Sequence, residues 1–213
     1  WPANDDVQLI DYAKEFELRA IGNHTEVWVA LDLLFPDPED CRNILNTTQI
    51  TDEQVYLFVE QFDEAIYPAM SATFSVPPAR NGSMSDIDWA ESFNLSACEY
   101  WGEGDRIVTL VNNICDINFY DPLDPDGNFV VGGFFSTVYT FLTDRYVMTI
   151  DAFDWLHGTG ENPPDDQGSP LYQACADYLE RPDLFSSKPH RYESIFAHEY
   201  MHLLQSYTGT KNL

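Results

Sequence analysis

Apolar and polar residues alternate along residues 15–22 (EFELRAIG) and again along 25–35 (TEVWVALDLLF). A period of two is the signature of half-buried strands, and Gly22-Asn23 between the two runs predicts a hairpin. The period changes at Thr51. The stretch TDEQVYLFVEQFDEAIYPAMSATF puts apolar side chains at 55, 58, 59, 62, 66 and 69 or 70, one face of an amphipathic helix. Thr51 and Gln54 have the spacing of a capping box, and Pro68 predicts a bend.

Residues 75–104 are rich in Pro, Gly, Ser and Asn, with a short helical patch predicted over 87–93. Strands are predicted at 106–114 (RIVTLVNNI), 129–136 (FVVGGFFS) and 145–153 (RYVMTIDAF), with a turn at 120–128 (YDPLDPDGN). A polar loop over 157–169 leads into a helix over 170–180 that starts on Pro170. Ser186 or Ser187 is then placed to cap a last helix. The order of elements predicts an α+β or α/β fold, a mixed sheet carrying helices. Few charges fall in the strands, so both faces of the sheet should be covered. The pattern reads as one domain over 1–213, with residues 1–24 available as an N-terminal extension strand.

Charge narrows the functional classes. The chain holds 36 acidic and 10 basic residues, a formal net charge of -26. Phosphate backbones and anionic lipid surfaces would be repelled, which argues against a nucleic-acid partner or membrane docking. No apolar run of 18 residues is present, so no membrane insertion is expected. Cys41, Cys98, Cys115 and Cys175 lack the close spacing of a zinc ribbon. Two disulfides are expected, and Cys98–Cys115 with Cys41–Cys175 is the favoured connectivity because the first closes a short loop. Glycosylation sequons occur at Asn23, Asn46, Asn81 and Asn94. Together with an opening residue, Trp1, that is not Met, these features predict a processed, secreted protein, extracellular or at a cell surface.

One motif carries chemistry. His198, Glu199 and His202 in FAHEYMHLLQSY spell H-E-x-x-H. On a helix, residues four apart share a face, so both imidazoles can reach one zinc ion. Glu199 is placed to take a proton from water at that ion and pass it to a leaving amine. Ile195, Phe196, Leu203 and Leu204 supply an apolar back for burial of the helix. The competing reading is a core helix with two ordinary histidines.

FAHEYMHLLQ resembles the active-site helix of secreted zincins, closest to the hyicolysin-like and immune-inhibitor-A-like metallopeptidases. That resemblance implies a zincin-like fold, zinc as cofactor and a protein or peptide substrate. It also implies a sheet-edge strand lining the substrate cleft, a place assigned here to RYVMTIDAF. Gln205 and Thr208 depart from the H-E-x-x-H-x-x-G-x-x-H pattern of metzincins and exclude that class. Gluzincins take a third ligand, a Glu, from a later helix, and no acidic residue follows Glu199. The resemblance therefore implies a third ligand on a C-terminal remainder of a longer precursor. Upstream alternatives are His157, His190, Asp151 and Asp154.

Asp121, Asp124, Asp126 and Asn128, with Gly127 for the bend, cluster hard oxygen ligands suited to calcium, though without the EF-hand pattern. A solvated turn is the competing reading. The leading functional expectation is a zinc endopeptidase. The alternative is an extracellular structural, filament or surface-layer protein derived from a protease, assembling with copies of itself around an inactive zinc site.

Overall fold

The computed structural model describes residues 14–85, 106–121, 123, 131–181 and 186–208. The fold is α+β, built on one mixed five-stranded sheet. The alternating segments form β1 (Phe16–Ile21) and β2 (Thr25–Ala30), antiparallel and joined by the predicted hairpin. β2 ends at Ala30, five residues short of the predicted strand. Leu31 and Leu34 beyond it are exposed, so the apolar run outlasts the pairing. β3 (Ile107–Asn112) adds parallel to β2. β5 (Val147–Asp151) adds parallel to β3, and β4 (Gly133–Phe135) closes the sheet antiparallel to β5. The strand order is β1-β2-β3-β5-β4. All five residues of β5 are buried, as expected of a strand covered on both faces.

That order corrects one expectation. RYVMTIDAF, as β5, lies inside the sheet, and the edge belongs to the three-residue β4. An interior place suits the unbroken apolar stretch of β5. The short edge carries Gly132 and Gly133, and strand ends of this kind are where glycine allows close backbone approach.

Thr51 starts α2 (Asp52–Gln61) with the predicted capping box formed in both directions. The helix runs on through a π turn over Phe62–Ile66 into α3 (Tyr67–Thr73). Proline explains the interruption: Pro68 has no N–H to donate, and the Tyr67 N–H bonds back five residues to the Phe62 carbonyl. The extra residue aims Asp63 at the β1–β2 hairpin, where its carboxylate accepts from the backbone N–H of Asn23 and of His24.

The predicted helix over 170–180 is two short ones, α7 (Pro170–Ala174) and α8 (Ala176–Leu179), separated at Cys175. Cys175 is bonded to Cys41, at the start of the four-residue helix α1 (Cys41–Ile44). The bridge sits in a small apolar cluster with Leu45, Phe153, Tyr178 and Leu179. Cys115 is exposed, and its expected partner Cys98 lies outside the described residues, as does the patch at 87–93. Three more short helices lie among the described residues: α4 (Ile117–Tyr120), α5 (Thr137–Thr143) and α6 (Trp155–Gly158).

The last helix, α9 (Arg191–Thr208), is 18 residues long. Neither predicted serine caps it: Ser187 donates its hydroxyl to the Gly160 carbonyl, and His190 enters the helix at φ 64°. Phe196, Tyr200 and Leu203 recur at helical spacing and are fully buried, and Leu204 beside them is 1% exposed. They interlock with α2 and the π turn, where the Phe62 ring meets Phe196 edge-on at 4.5 Å and Tyr200 at 5.4 Å. Two fully buried phenylalanines at this crossing contribute about 1.5–3 kcal/mol each, enough to hold α9 against the sheet. At the other end of the helix Tyr192 stacks on Trp155 at 4.3 Å.

Candidate metal centre

With one face of α9 turned inward, its opposite face carries the motif. His198 and His202 are exposed, and their Nε2 atoms lie 3.1 Å apart with the rings nearly perpendicular. Two nitrogens bound to one tetrahedral zinc at ~2.05 Å would be about 3.3 Å apart. The imidazoles therefore stand at a spacing that fits a shared ion with little movement. Glu199 differs from its neighbours in being 8% exposed. Its Oε2 accepts the backbone N–H of Phe135, on β4, at 3.0 Å. Among the described residues, this is the one group of three or more His, Cys, Asp and Glu side chains close enough to hold an ion, with ligand atoms all within 4.8 Å of one another.

None of the four upstream candidates for a third ligand joins that group. His157 is buried and held to Asp154 by an Nδ1···Oδ1 contact of 2.6 Å. Burial raises the Asp154 pKa, and the hydrogen bond from His157 opposes that rise. His190 is exposed, 3.5 Å from the carboxylate of Glu193. Asp151 ends β5 with Oδ1 accepting the N–H of Ile114 and of Phe153. Its burial pushes the carboxyl up to about 8. Asp151 thus ties the end of β5 to the backbone at Ile114 and Phe153.

Of the calcium candidates, Asp121 is exposed and accepts the Leu123 N–H at 3.1 Å, the geometry of an ordinary turn. Asp124, Asp126 and Asn128 lie outside the described residues. Asn23, Asn46 and Asn81 are exposed, and Asn94 lies outside the described residues. The Asn81 side-chain oxygen accepts the Ser83 N–H. None of the described helices is long and apolar enough to cross a membrane.

Sequence reasoning missed three residues that shape the centre: Gly132, Gly133 and Phe135. Phe135 contributes only a backbone N–H, which leaves no mark in residue identity. The paired glycines inside an apolar strand did carry a signal, since glycine within a strand marks a bulge or a close approach.

Comparison with known proteins assigns no family: no family model matches the chain, and no curated protein matches it.

Proposed function

We propose that the chain is a zinc-dependent endopeptidase in which His198 and His202 hold the metal and Glu199 is the general base. The observation that supports this reading most is the division of labour on α9. Two exposed imidazoles converge at 3.1 Å beside a buried carboxylate, on a helix whose other face is locked into the core. Zinc bound there would polarise a peptide carbonyl and bring the pKa of a water toward about 7. Glu199 would take the proton from that water and deliver it to the departing amine. Its bond to the Phe135 N–H engages one oxygen and leaves Oε1 for the proton. Among the described residues no third protein ligand joins the two imidazoles beside Glu199. An extracellular setting suits the Cys41–Cys175 disulfide and the exposed sequons at Asn23, Asn46 and Asn81.

The experiment is zinc content together with casein hydrolysis, wild type against Glu199→Gln. Both proteins are expected to bind zinc, and the substitution to lower kcat by about 100-fold or more, as for loss of a general base. Equal hydrolysis by the two would sink the mechanism. A wild-type protein that takes up no zinc and self-associates would favour the assembly role instead.

A further inference from the structure

We propose that Gly132 and Gly133 are positioning residues that set the place of Glu199 by letting the edge strand carry the Phe135 N–H to its carboxylate. That Glu199 is a base rests on the peptidase reading above. That β4 positions it rests on geometry alone.

Two contacts define the arrangement. Ile195 stands one turn before Glu199 on α9, so both project toward β4. A Cβ on Gly132 would lie 2.8 Å from Ile195 Cδ1 and 3.4 Å from its Cγ1. A Cβ on Gly133 would lie 2.9 Å from Ile195 Cγ2 and 2.8 Å from the backbone oxygen of Thr149 on β5. The strand therefore lies against the helix at a separation where any Cβ must displace Ile195 atoms, the terminal Cδ1 methyl at Gly132 and the Cγ2 methyl at Gly133. Two residues further along, at this separation, the Phe135 N–H reaches Oε2 of Glu199 at 3.0 Å. A side chain at either glycine would lift β4 from α9 and lengthen that bond. Displacing a reacting group by about 1 Å costs about 100-fold in rate.

The two glycines are blocked by different atoms, which provides the test. Ile195→Val removes Cδ1 and keeps Cγ2. It therefore relieves Gly132→Ala and leaves Gly133→Ala obstructed, both by Cγ2 and by a Thr149 carbonyl that cannot yield.

Amide hydrogen exchange at Phe135, zinc binding by calorimetry, and kcat and KM are measured on the wild type and on Gly132→Ala, Gly133→Ala, Ile195→Val, Glu199→Ala and both glycine variants combined with Ile195→Val. Protection of the Phe135 amide is expected in the wild type and in Ile195→Val. It should be lost in Glu199→Ala and in each single glycine variant, restored in Gly132→Ala/Ile195→Val, and not restored in Gly133→Ala/Ile195→Val. Zinc affinity should stay within about threefold throughout the glycine series, because both histidines lie on α9. Where hydrolysis is measured, kcat should follow the protection pattern, falling about 100-fold with KM little changed. Phe135 protection that survives Gly132→Ala or Gly133→Ala, or a loss in Gly132→Ala that Ile195→Val does not repair, overturns the proposal. If the exchange pattern holds while zinc-loaded wild type hydrolyses nothing, the positioning role stands and the peptidase reading fails.

Discussion

Asp151 shows what a single buried carboxyl does to this fold. It is 2% exposed, Oδ1 takes two backbone N–H groups, and Oδ2 has no hydrogen-bond partner among the described residues. Burial is the largest influence on its acidity and pushes the pKa up to about 8, with the neighbouring charge of Asp116 adding to the rise. In the unfolded chain the same group titrates near ~3.9. Between those values the folded state holds a proton that the unfolded state has released. Stability from this residue is therefore complete below about pH 4, falls as pH rises, and is lost by about pH 8. The full span amounts to something on the order of 5 kcal/mol. Asn at 151 keeps the Oδ1 acceptor and has no charge to bury. Asp151→Asn is thus expected to remove most of the decline in urea-unfolding stability between pH 5 and pH 8.5 and to exceed wild type at the higher pH. Parallel slopes in the two proteins would show that other groups cause the decline.

At the scale of elements, α2 is where local chemistry and tertiary packing agree most closely. The Thr51 hydroxyl accepts the Gln54 N–H, and the Gln54 side chain accepts the Thr51 N–H in return. Gln54 also reaches into the interior, accepting from the Trp155 indole N–H and donating to Thr159. Thr51→Ala deletes only the first of these bonds and is expected to cost about 1 kcal/mol of stability, the usual value for a lost N-cap. A shift in the urea midpoint at constant slope would report it. The capping box, the hairpin and the buried stripe of α9 were all legible in residue order, because each follows from spacing within one element. The π turn was not: the sequence marks Pro68, and how the missing N–H is absorbed depends on Asp63 finding the hairpin amides. The edge strand was misplaced for a related reason. Strand order is set by crossovers and pairing between distant segments, and three residues of β4 are too few to show a period. In the metal centre the two imidazoles and the carboxylate were legible, since i and i+4 on a helix share a face. The backbone donor opposite them was not, being a contact between elements 64 residues apart.

The molecule as a whole carries a charge that its contacts cannot neutralise. If each of the 10 basic residues paired with one acid, 36 − 10 = 26 acids would remain. Several bases are so engaged, as in Arg19–Asp52, Arg42–Asp40, Arg80–Asp144 and the buried Arg145–Glu26 pair. The excess therefore acts as self-repulsion, which destabilises a compact state more than an expanded one. Added salt shortens the reach of that repulsion, from about 30 Å at 0.01 M to about 3 Å at 1 M. It also weakens the exposed ion pairs, but those are worth only about 0–1 kcal/mol each, so the repulsive excess should dominate. Thermal unfolding is expected to move to higher temperature as NaCl rises from 0.01 to 0.5 M, with each ~1 kcal/mol gained shifting Tm by roughly 2–4 °C. Calcium chloride at matched ionic strength separates general screening from a specific site. A shift beyond that of NaCl, saturating with calcium and removed by Asp124→Asn, would assign the ion to the Asp121–Asn128 turn. Coincident curves would leave that turn as solvated surface. A Tm that stays flat or falls with NaCl would mean that the acids are spaced widely enough for their repulsion not to matter to folding.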